Sequence, residues 1–429
     1  MPLKPSAVSA IAEEAYAYFY PLVIMEKTRQ THMAVGSEMG KLFHQRKRST
    51  HRERTVARPN ADTLFSSVWL DLNNGPVILK TPESLGRYYM YQVLDAWSDT
   101  IGVVGSRTVG EGPSSVAFVP TGWKGDLPED VFVVTAPTRT LWIIGRVYVA
   151  GDDDLSTALA FQNAVELIQT QGSIETTTKE QFPPVTMPPV AQVGAMSAEE
   201  FFTLGAALMA RETPHGTDGS QLLRLARLGF VPGRAFEFSK QSKEVQEALS
   251  NAPQVVLPRL KSPRSDPFAM VNGWHINRSQ IGVWANSYLL RAGIALFGLA
   301  ANPVEDALYP RLILDSEGNR IDGAANYKLH FEPGNTPPAD AFWSVTAYDA
   351  DGFLVENELN RHCIGSSDQL EYNQDGSLDI YLGRTLPSES PLSNWLPTCE
   401  GGNNPLLRLY DPRPEAYDGT WKPPVAQRI

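Results

Sequence analysis

Residues 88–100 read Tyr88-Tyr-Met-Tyr-Gln-Val-Leu-Asp-Ala-Trp-Ser-Asp-Thr100. Successive side chains of a strand point to opposite faces. A strand over residues 88–95 sets Tyr89, Tyr91, Val93 and Asp95 on one face and Tyr88, Met90, Gln92 and Leu94 on the other. Asp95 and Asp99 then flank Trp97. Two carboxylates beside an aromatic wall divide acid and base roles when the wall raises one pKa. The pair also fits a structural part, a buried Asp satisfied by backbone amides at a strand end. Asp95 is a candidate acid or base, and Trp97 and Asp99 are candidate substrate contacts.

The pattern around this strand is β from Thr63 to Ala150. Runs rich in β-branched and aromatic residues cover 64–72, 77–80, 88–95, 100–104, 116–119, 131–134 and 140–149. Turn clusters such as Asn73-Asn-Gly-Pro76 and Gly110-Glu-Gly-Pro113 separate them, which predicts a sandwich rather than alternating strand–helix units. Before it, residues 6–35 predict a helix that Pro21 bends or ends. Seven basic residues then lie between Lys41 and Arg58, opposed only by Glu53. They read as an anion-attracting mouth or as a solvated loop. From Asp154 to about Ala301 the period is helical, over 155–170, 198–211, 220–228, 243–250 and 279–300. In the last of these, Ile281, Trp284, Tyr288, Arg291, Ala295 and Leu299 recur near 3.6 residues, and Asn277 or Ser279 is the cap. Strands return over 327–331, 342–348, 352–355, 377–382 and 406–410. Asp315-Ser-Glu-Gly318, Asp349-Ala-Asp-Gly352 and Asn373-Gln-Asp-Gly376 between them read as tight turns. The chain thus predicts a mainly β, α+β protein in four parts: a helix and basic loop (1–57), a β-sandwich (58–150), a helical region (151–305) and a second β-sandwich (306–429).

The 429 residues are 42% hydrophobic and 20% charged, the balance of a folded globular chain. The formal charge of −11 argues against a nucleic-acid partner. No apolar run approaches 18 residues, so no membrane span is expected. Glu13 and Glu14 stand where a secretory signal needs its apolar centre, so a cytoplasmic location is expected. Cys363 and Cys399 neither make nor exclude a bridge from sequence alone. Phosphate-loop, dinucleotide and flavin signatures are absent, as are the Gly-x-Ser-x-Gly elbow and His-Glu-x-x-His. The cofactor is therefore unknown. The seven histidines show no helical i, i+4 pair, and no metal ligand is assigned.

Arg58-Pro-Asn-Ala-Asp-Thr-Leu-Phe-Ser66 packs a guanidinium, an amide, a carboxylate and two hydroxyls into nine residues. Asp62 is a candidate acid or base, and Arg58 and Asn60 are candidate substrate contacts. As structure, the same Asn and Asp close a turn. In Tyr327-Lys-Leu-His-Phe331, alternation puts Lys328 and His330 on one face, and His330 is a candidate general base. Asn357-Glu-Leu-Asn-Arg-His-Cys363 follows the aromatic run at 342–348 and offers Asn360, Arg361 and His362 as further substrate contacts.

These segments together resemble the tandem DUF1254/DUF1214 family of unknown function. The first half resembles its N-terminal domain through Arg58-Pro-Asn-Ala-Asp-Thr-Leu64, Asp95-Ala-Trp97, Gly122-Trp-Lys-Gly125 and Trp142-Ile-Ile-Gly-Arg146. The second half resembles its C-terminal domain through Asn272-Gly-Trp274, Tyr327-Lys-Leu-His-Phe331, Phe342-Trp-Ser344, Asn360-Arg361, Asn394-Trp-Leu-Pro397 and Trp421-Lys-Pro-Pro424. The resemblance implies an N-terminal immunoglobulin-like sandwich, a helical middle and a C-terminal jelly-roll sandwich. It implies no established reaction. Ser98-Asp99 stand where the family usually has Thr-Asn, and His362 where it usually has Tyr.

The leading expectation is an enzyme acting on a small organic molecule with an apolar or aromatic body and a polar handle. Acid/base chemistry of hydrolase or lyase type would run in a pocket between the β domains. Arg58 or Arg361 would hold an anionic handle, and Asp62 or Asp95 would work with His330. A non-catalytic small-molecule binding protein and a homo-oligomeric interaction protein are the alternatives.

Overall fold

The computed structural model describes residues 4–54, 57–170, 182, 185, 187–261, 270–278, 280–402 and 404–429. Ser279, one of the two expected caps, lies outside the described residues. The chain is mixed helix and sheet, with two β modules and a helical unit.

In the first module the strands order as Phe43–His44, Thr63–Asp71, Thr140–Tyr148, Tyr89–Asp95 and Thr100–Gly105, all antiparallel. A second sheet orders Phe132–Ala136, Ser114–Pro120, Val77–Thr81 and Glu166–Gln169. One apolar core lies between them, with Leu64, Val68, Tyr89, Tyr91, Val93, Ile143 and Val147 from the first sheet and Val77, Leu79, Val116 and Phe118 from the second. Residues 166–169, expected in a helix, pair as a strand with Val77–Lys80. That pairing satisfies an edge whose backbone groups need partners.

Tyr89–Asp95 is buried at every position. Tyr89, Tyr91 and Val93 enter the sandwich core. On the other face, Tyr88 and Met90 pack with Phe342 and Tyr410 of the second β module, while Leu94 packs beside Trp69 and Trp142.

The second β module pairs Leu406–Pro412 with Ala339–Thr346, which in turn pairs with Cys363–Gly365. A facing sheet orders Trp395–Pro397, Leu378–Gly383, Tyr327–Phe331 and Ala426–Arg428. They too share one core, including Leu329, Phe331, Trp343, Val345, Ile380, Leu407 and Leu409. Residues 352–355 form no strand and only an isolated Tyr348–Leu354 bridge. The turn before them follows the expectation: the Asp349 carboxylate accepts the Asp351 and Phe353 amides, and Gly352 takes φ +85°. Both cysteines are free.

The helical unit is centred on Pro5–Ala34, which packs against Ala198–Arg211, Lys243–Lys261 and Tyr288–Gly298. Pro21 neither ends this helix nor divides it. An interior proline costs about 3 kcal/mol through its lost hydrogen bond, and here the continuous burial of residues 15–26 offsets that loss. Lys243–Lys261 likewise continues through Pro253 and Pro258. The helix expected over 279–300 is confined to Tyr288–Gly298. The residues before it are held elsewhere: the Trp284 amide donates to Asp99, its indole donates to the Ser98 carbonyl, and the Thr100 amide donates to the Gly282 carbonyl.

Phe19 sits where Pro5–Ala34 meets Ala198–Arg211. It is fully buried against Phe230, and a side chain at Gly205 would bring its Cβ to 2.9 Å from the Phe19 ring. Phe19→Ala is expected to destabilise the chain by about 3–5 kcal/mol, read as a lowered midpoint in denaturant unfolding.

Candidate functional site

The outer faces of the two sandwiches meet in a seam. On Thr140–Tyr148, Leu141, Ile143 and Val147 face the first core, so alternation turns Arg146 and Tyr148 outward. On Leu406–Pro412, Leu407 and Leu409 face the second core, which turns Arg408 and Tyr410 outward. On Ala339–Thr346 the outward residues are Phe342, Ser344 and Thr346. Tyr148 stacks on Phe342 at 4.1 Å between ring centroids, and Phe342 stacks on Tyr410 at 4.6 Å. Tyr88 closes on both, at 5.8 and 5.5 Å. At a separate point of the module boundary, Arg107 holds Asp306 through bonds of 2.8 and 2.9 Å.

Residues 58–62 edge this seam. Arg58 adopts φ +56° and donates to the Asn404 carbonyl at 3.3 Å. Asn60 donates to the Tyr410 hydroxyl at 2.6 Å. The Asp62 carboxylate accepts from the Ser344 hydroxyl at 2.7 Å and the Cys363 thiol at 3.1 Å. Burial, and then the Asp62 charge, raise the Cys363 pKa well above its usual value, so the thiol stays protonated and donates. Arg408 donates to Tyr348 and, at 2.5 Å, to Thr346.

Four guanidinium groups thus share the seam. Burial, then the charge of Arg311, lower the Arg58 pKa, with Arg408 adding to the effect. The Arg408 charge also reaches Arg146. The Asp62 charge reaches Arg408, and Asp62 and Asp368 both act on Tyr148 and Cys363. Among the described residues none of the four arginines forms an ion pair with a carboxylate. The Nε atoms of Arg146 and Arg311 are buried with no hydrogen-bond partner among the described residues. Arg146, Tyr309 and Cys363 are each partly buried.

Asp95 lies elsewhere, at the seam of the first sandwich with the helical unit. Its carboxylate is fully buried and accepts the Trp97 and Asp99 amides, each at 2.9 Å. Its second oxygen meets His215 Nε2 at 2.5 Å. Asp99 accepts the Trp284 amide at 3.1 Å and Arg291 Nη1 at 3.2 Å, with His215 Nδ1 at 3.8 Å. The turn places Trp97 in the helical core, 4.8 Å from the Tyr18 ring. Burial, and then the Asp95 charge, raise the Asp99 pKa, while Arg291 and His215 oppose the shift. At His215 burial works to lower the pKa, but the bond to Asp95 and the charges of Asp95 and Asp99 outweigh it, and the net shift is upward.

Asp95, Asp99 and His215 place three ligand atoms within 4.8 Å of one another. Their charges are already answered from inside the protein, by Arg291 on Asp99 and by the imidazole on Asp95. The set therefore fits a closed ion network better than a cation cage. Thr100, Gln92, Asn302 and Tyr309 form a hydrogen-bonded chain from the end of this turn toward the arginine seam.

The expected site residues are thus brought to separate places. Arg58, Asn60 and Asp62 edge the arginine seam. Asp95, Trp97 and Asp99 form the ion network. His330 bonds Asp379 at 2.6 Å and lines a surface cleft of about 360 Å³ with Glu332, Lys422 and Pro423. Arg361 donates to the carbonyls of Leu392 and Trp395 at 2.5 and 2.8 Å and so braces a loop, and Asn360 beside it takes φ +49°. His362 donates from Nδ1 to the Val355 carbonyl at 3.0 Å and faces His51. The partner of Asp95 is His215, not His330. Sequence reading missed His215, Arg146, Arg311 and Arg408. An arginine on an otherwise apolar strand, as in Trp142-Ile-Ile-Gly-Arg146 and Leu406-Leu-Arg408, is the visible signal for two of them.

A histidine whose folded pKa is raised above 6.5 contributes stability that is fully present below pH 6.5 and is lost as pH rises through the folded value. The stability difference between the natural chain and His215→Gln should be about 1 kcal/mol below pH 6.5, the gap between a charged and a neutral hydrogen bond. It should shrink at higher pH, as read by denaturant titrations at a series of pH values.

The family described as protein of unknown function DUF1254 matches residues 39–169, and the one described as protein of unknown function DUF1214 matches residues 306–414. The first span ends with the Glu166–Gln169 strand that completes the first sandwich. The crystal structure of the VPA0106 protein from Vibrio parahaemolyticus is similar, with a TM-score of 0.74 and 22% identity over 98% of this chain and 100% of that one. That likeness shows a shared fold. An uncharacterized protein from Burkholderia cenocepacia aligns over 99% of this chain and 94% of its own, with a TM-score of 0.46 and 11% identity. No curated protein matches the chain. With both domains present in tandem and in this order, the chain belongs to the DUF1254/DUF1214 family.

Proposed function

We propose that the chain is an enzyme that binds a small organic anion with an aromatic or apolar body in the arginine–tyrosine seam and transforms it by acid/base chemistry of hydrolase or lyase type. One observation carries the reading: among the described residues, two buried guanidinium Nε atoms, on Arg146 and Arg311, have no hydrogen-bond partner, and the four seam arginines form no ion pair with a carboxylate. An unpaired buried charge is costly, and a carboxylate or phosphate of a ligand would remove that cost through charge-assisted hydrogen bonds. Tyr88, Tyr148, Phe342 and Tyr410 pack together as an aromatic wall of the seam, the apolar surface beside which the body of such a molecule would lie. Burial raises the pKa of Tyr88, Tyr148 and Tyr309, so these hydroxyls stay protonated. Asp62 is the acid or base, oriented by Ser344 and Cys363. The two β modules, each with two sheets around one core, are read as the immunoglobulin-like and jelly-roll sandwiches that the family resemblance implies.

Titration calorimetry with a panel of aromatic carboxylates and phosphate monoesters tests the binding half. A ligand that binds the natural chain should bind Arg146→Met and Arg311→Met at least 10-fold more weakly, the loss of one charge-assisted bond. Equal binding by both variants would sink the anion reading. Incubation tests the chemistry. Asp62→Asn should keep affinity and lose turnover by roughly 100-fold or more, the scale of a general acid/base. Recovery of the ligand unchanged from the natural chain would favour the non-catalytic binding protein instead.

A further inference from the structure

His51 and His362 come together outside both clusters. Their rings lie 5.7 Å apart between centroids, at an interplanar angle of 61°. His362 is 7% exposed. Its Nδ1 lies 3.0 Å from the Val355 carbonyl, which accepts only, so Nδ1 carries the proton and Nε2 presents a lone pair. On His51 the Glu356 carboxylate lies 3.3 Å from Nε2 and draws the proton there, which leaves the lone pair on Nδ1. These two atoms, His362 Nε2 and His51 Nδ1, are both buried and have no hydrogen-bond partner among the described residues.

Two buried acceptors on neighbouring rings need something positive or hydrogen-donating between them. Each outer nitrogen already faces the kind of group that orients a metal-binding histidine: a carbonyl in one case, a carboxylate in the other. A metal about 2.0 Å from each nitrogen places two ligating rings roughly 5–6 Å apart between centroids. The observed spacing falls in that range. Arg48 opposes a cation here, and the carboxylates Glu53 and Glu356 favour one.

We propose that His51 Nδ1 and His362 Nε2 are two protein ligands of a late first-row transition-metal ion, of the zinc or copper class that imidazole prefers. The remaining positions of the ion are open to water or a bound molecule. The proposal does not rest on the anion reading: His362 precedes Cys363, but His51 and His362 are held by Glu356 and Val355 and by no arginine of the seam.

The test uses the full chain stripped with a chelator and titrated with Zn²⁺ alone by calorimetry, then with Co²⁺ to read nitrogen ligation in the visible spectrum. One equivalent should bind. His51→Gln and His362→Gln should each weaken binding at least 10-fold, with circular dichroism unchanged. Should a variant not fold, the natural chain still decides: imidazole ¹⁵N spectra with Zn²⁺ should move His51 Nδ1 and His362 Nε2. Absence of saturable binding would overturn the proposal and leave a bridging water as the partner. Binding that survives both substitutions but is lost in Asp99→Asn would overturn it in favour of the Asp95–Asp99–His215 set.

Discussion

A single buried carboxylate joins two of the three parts of this protein. Asp95 ends a central strand of the first sandwich and accepts the amides of Trp97 and Asp99, so the chain turns sharply there. The same group receives His215 from the helical unit. The turn projects Trp97 into the helical core and leaves Asp99 to hold Trp284 and Arg291. A buried charge survives only when it is paired and hydrogen-bonded. The helical unit therefore supplies the cationic side of the network, and the sandwich supplies the anionic side. That reciprocity fixes how the two sit together, and it draws the residues before Tyr288 out of the helix that their own periodicity favours.

The seam between the two sandwiches has the opposite electrostatic character. Each sandwich spends its apolar alternation on its own core, which leaves the outward positions polar or aromatic. Outward positions normally face water. Here parts of two outer faces meet, and Arg146, Tyr148, Arg408, Tyr410 and Phe342 are enclosed together. Aromatic stacking and the short bonds from Asn60 and Ser344 close the contact. Among the described residues the four guanidinium groups gain no ion pair from that closure, although the Asp62 charge reaches Arg408. Arg291 of the Asp95 network also keeps unpartnered nitrogens, but it is ion-paired with Asp99. The seam arginines differ in forming no ion pair among the described residues, and unanswered buried charge concentrates where a fold serves something other than its own stability.

Much of the architecture was legible in the residues. The strands over 63–71, 77–81, 89–95, 100–105, 140–148, 327–331 and 406–412 follow alternation and turn chemistry, and the helix Ala198–Arg211 follows its period. Legibility failed where a distant partner outweighed local preference. Residues 166–169 became a strand because Val77–Lys80 offered an open edge. Pro21 stayed inside a helix because burial surrounds it. Of the candidate site residues, Arg58, Asn60 and Asp62 did prove to share one place, being neighbours along the chain. His330 and Arg361 went elsewhere, because no local rule says which way a strand face or a loop will look.

The sequence by itself determined the order of the parts, most of the strands and the turns between them. Period-two alternation, β-branched runs and Asp-Gly turns act over a few residues and need no distant partner. Only the tertiary structure decided that residues 58, 146, 311 and 408 would share one seam, and that Asp95 would find His215. Those contacts join positions far apart in the chain. They arise from which outer faces press together once each core is filled, and no local period carries that information.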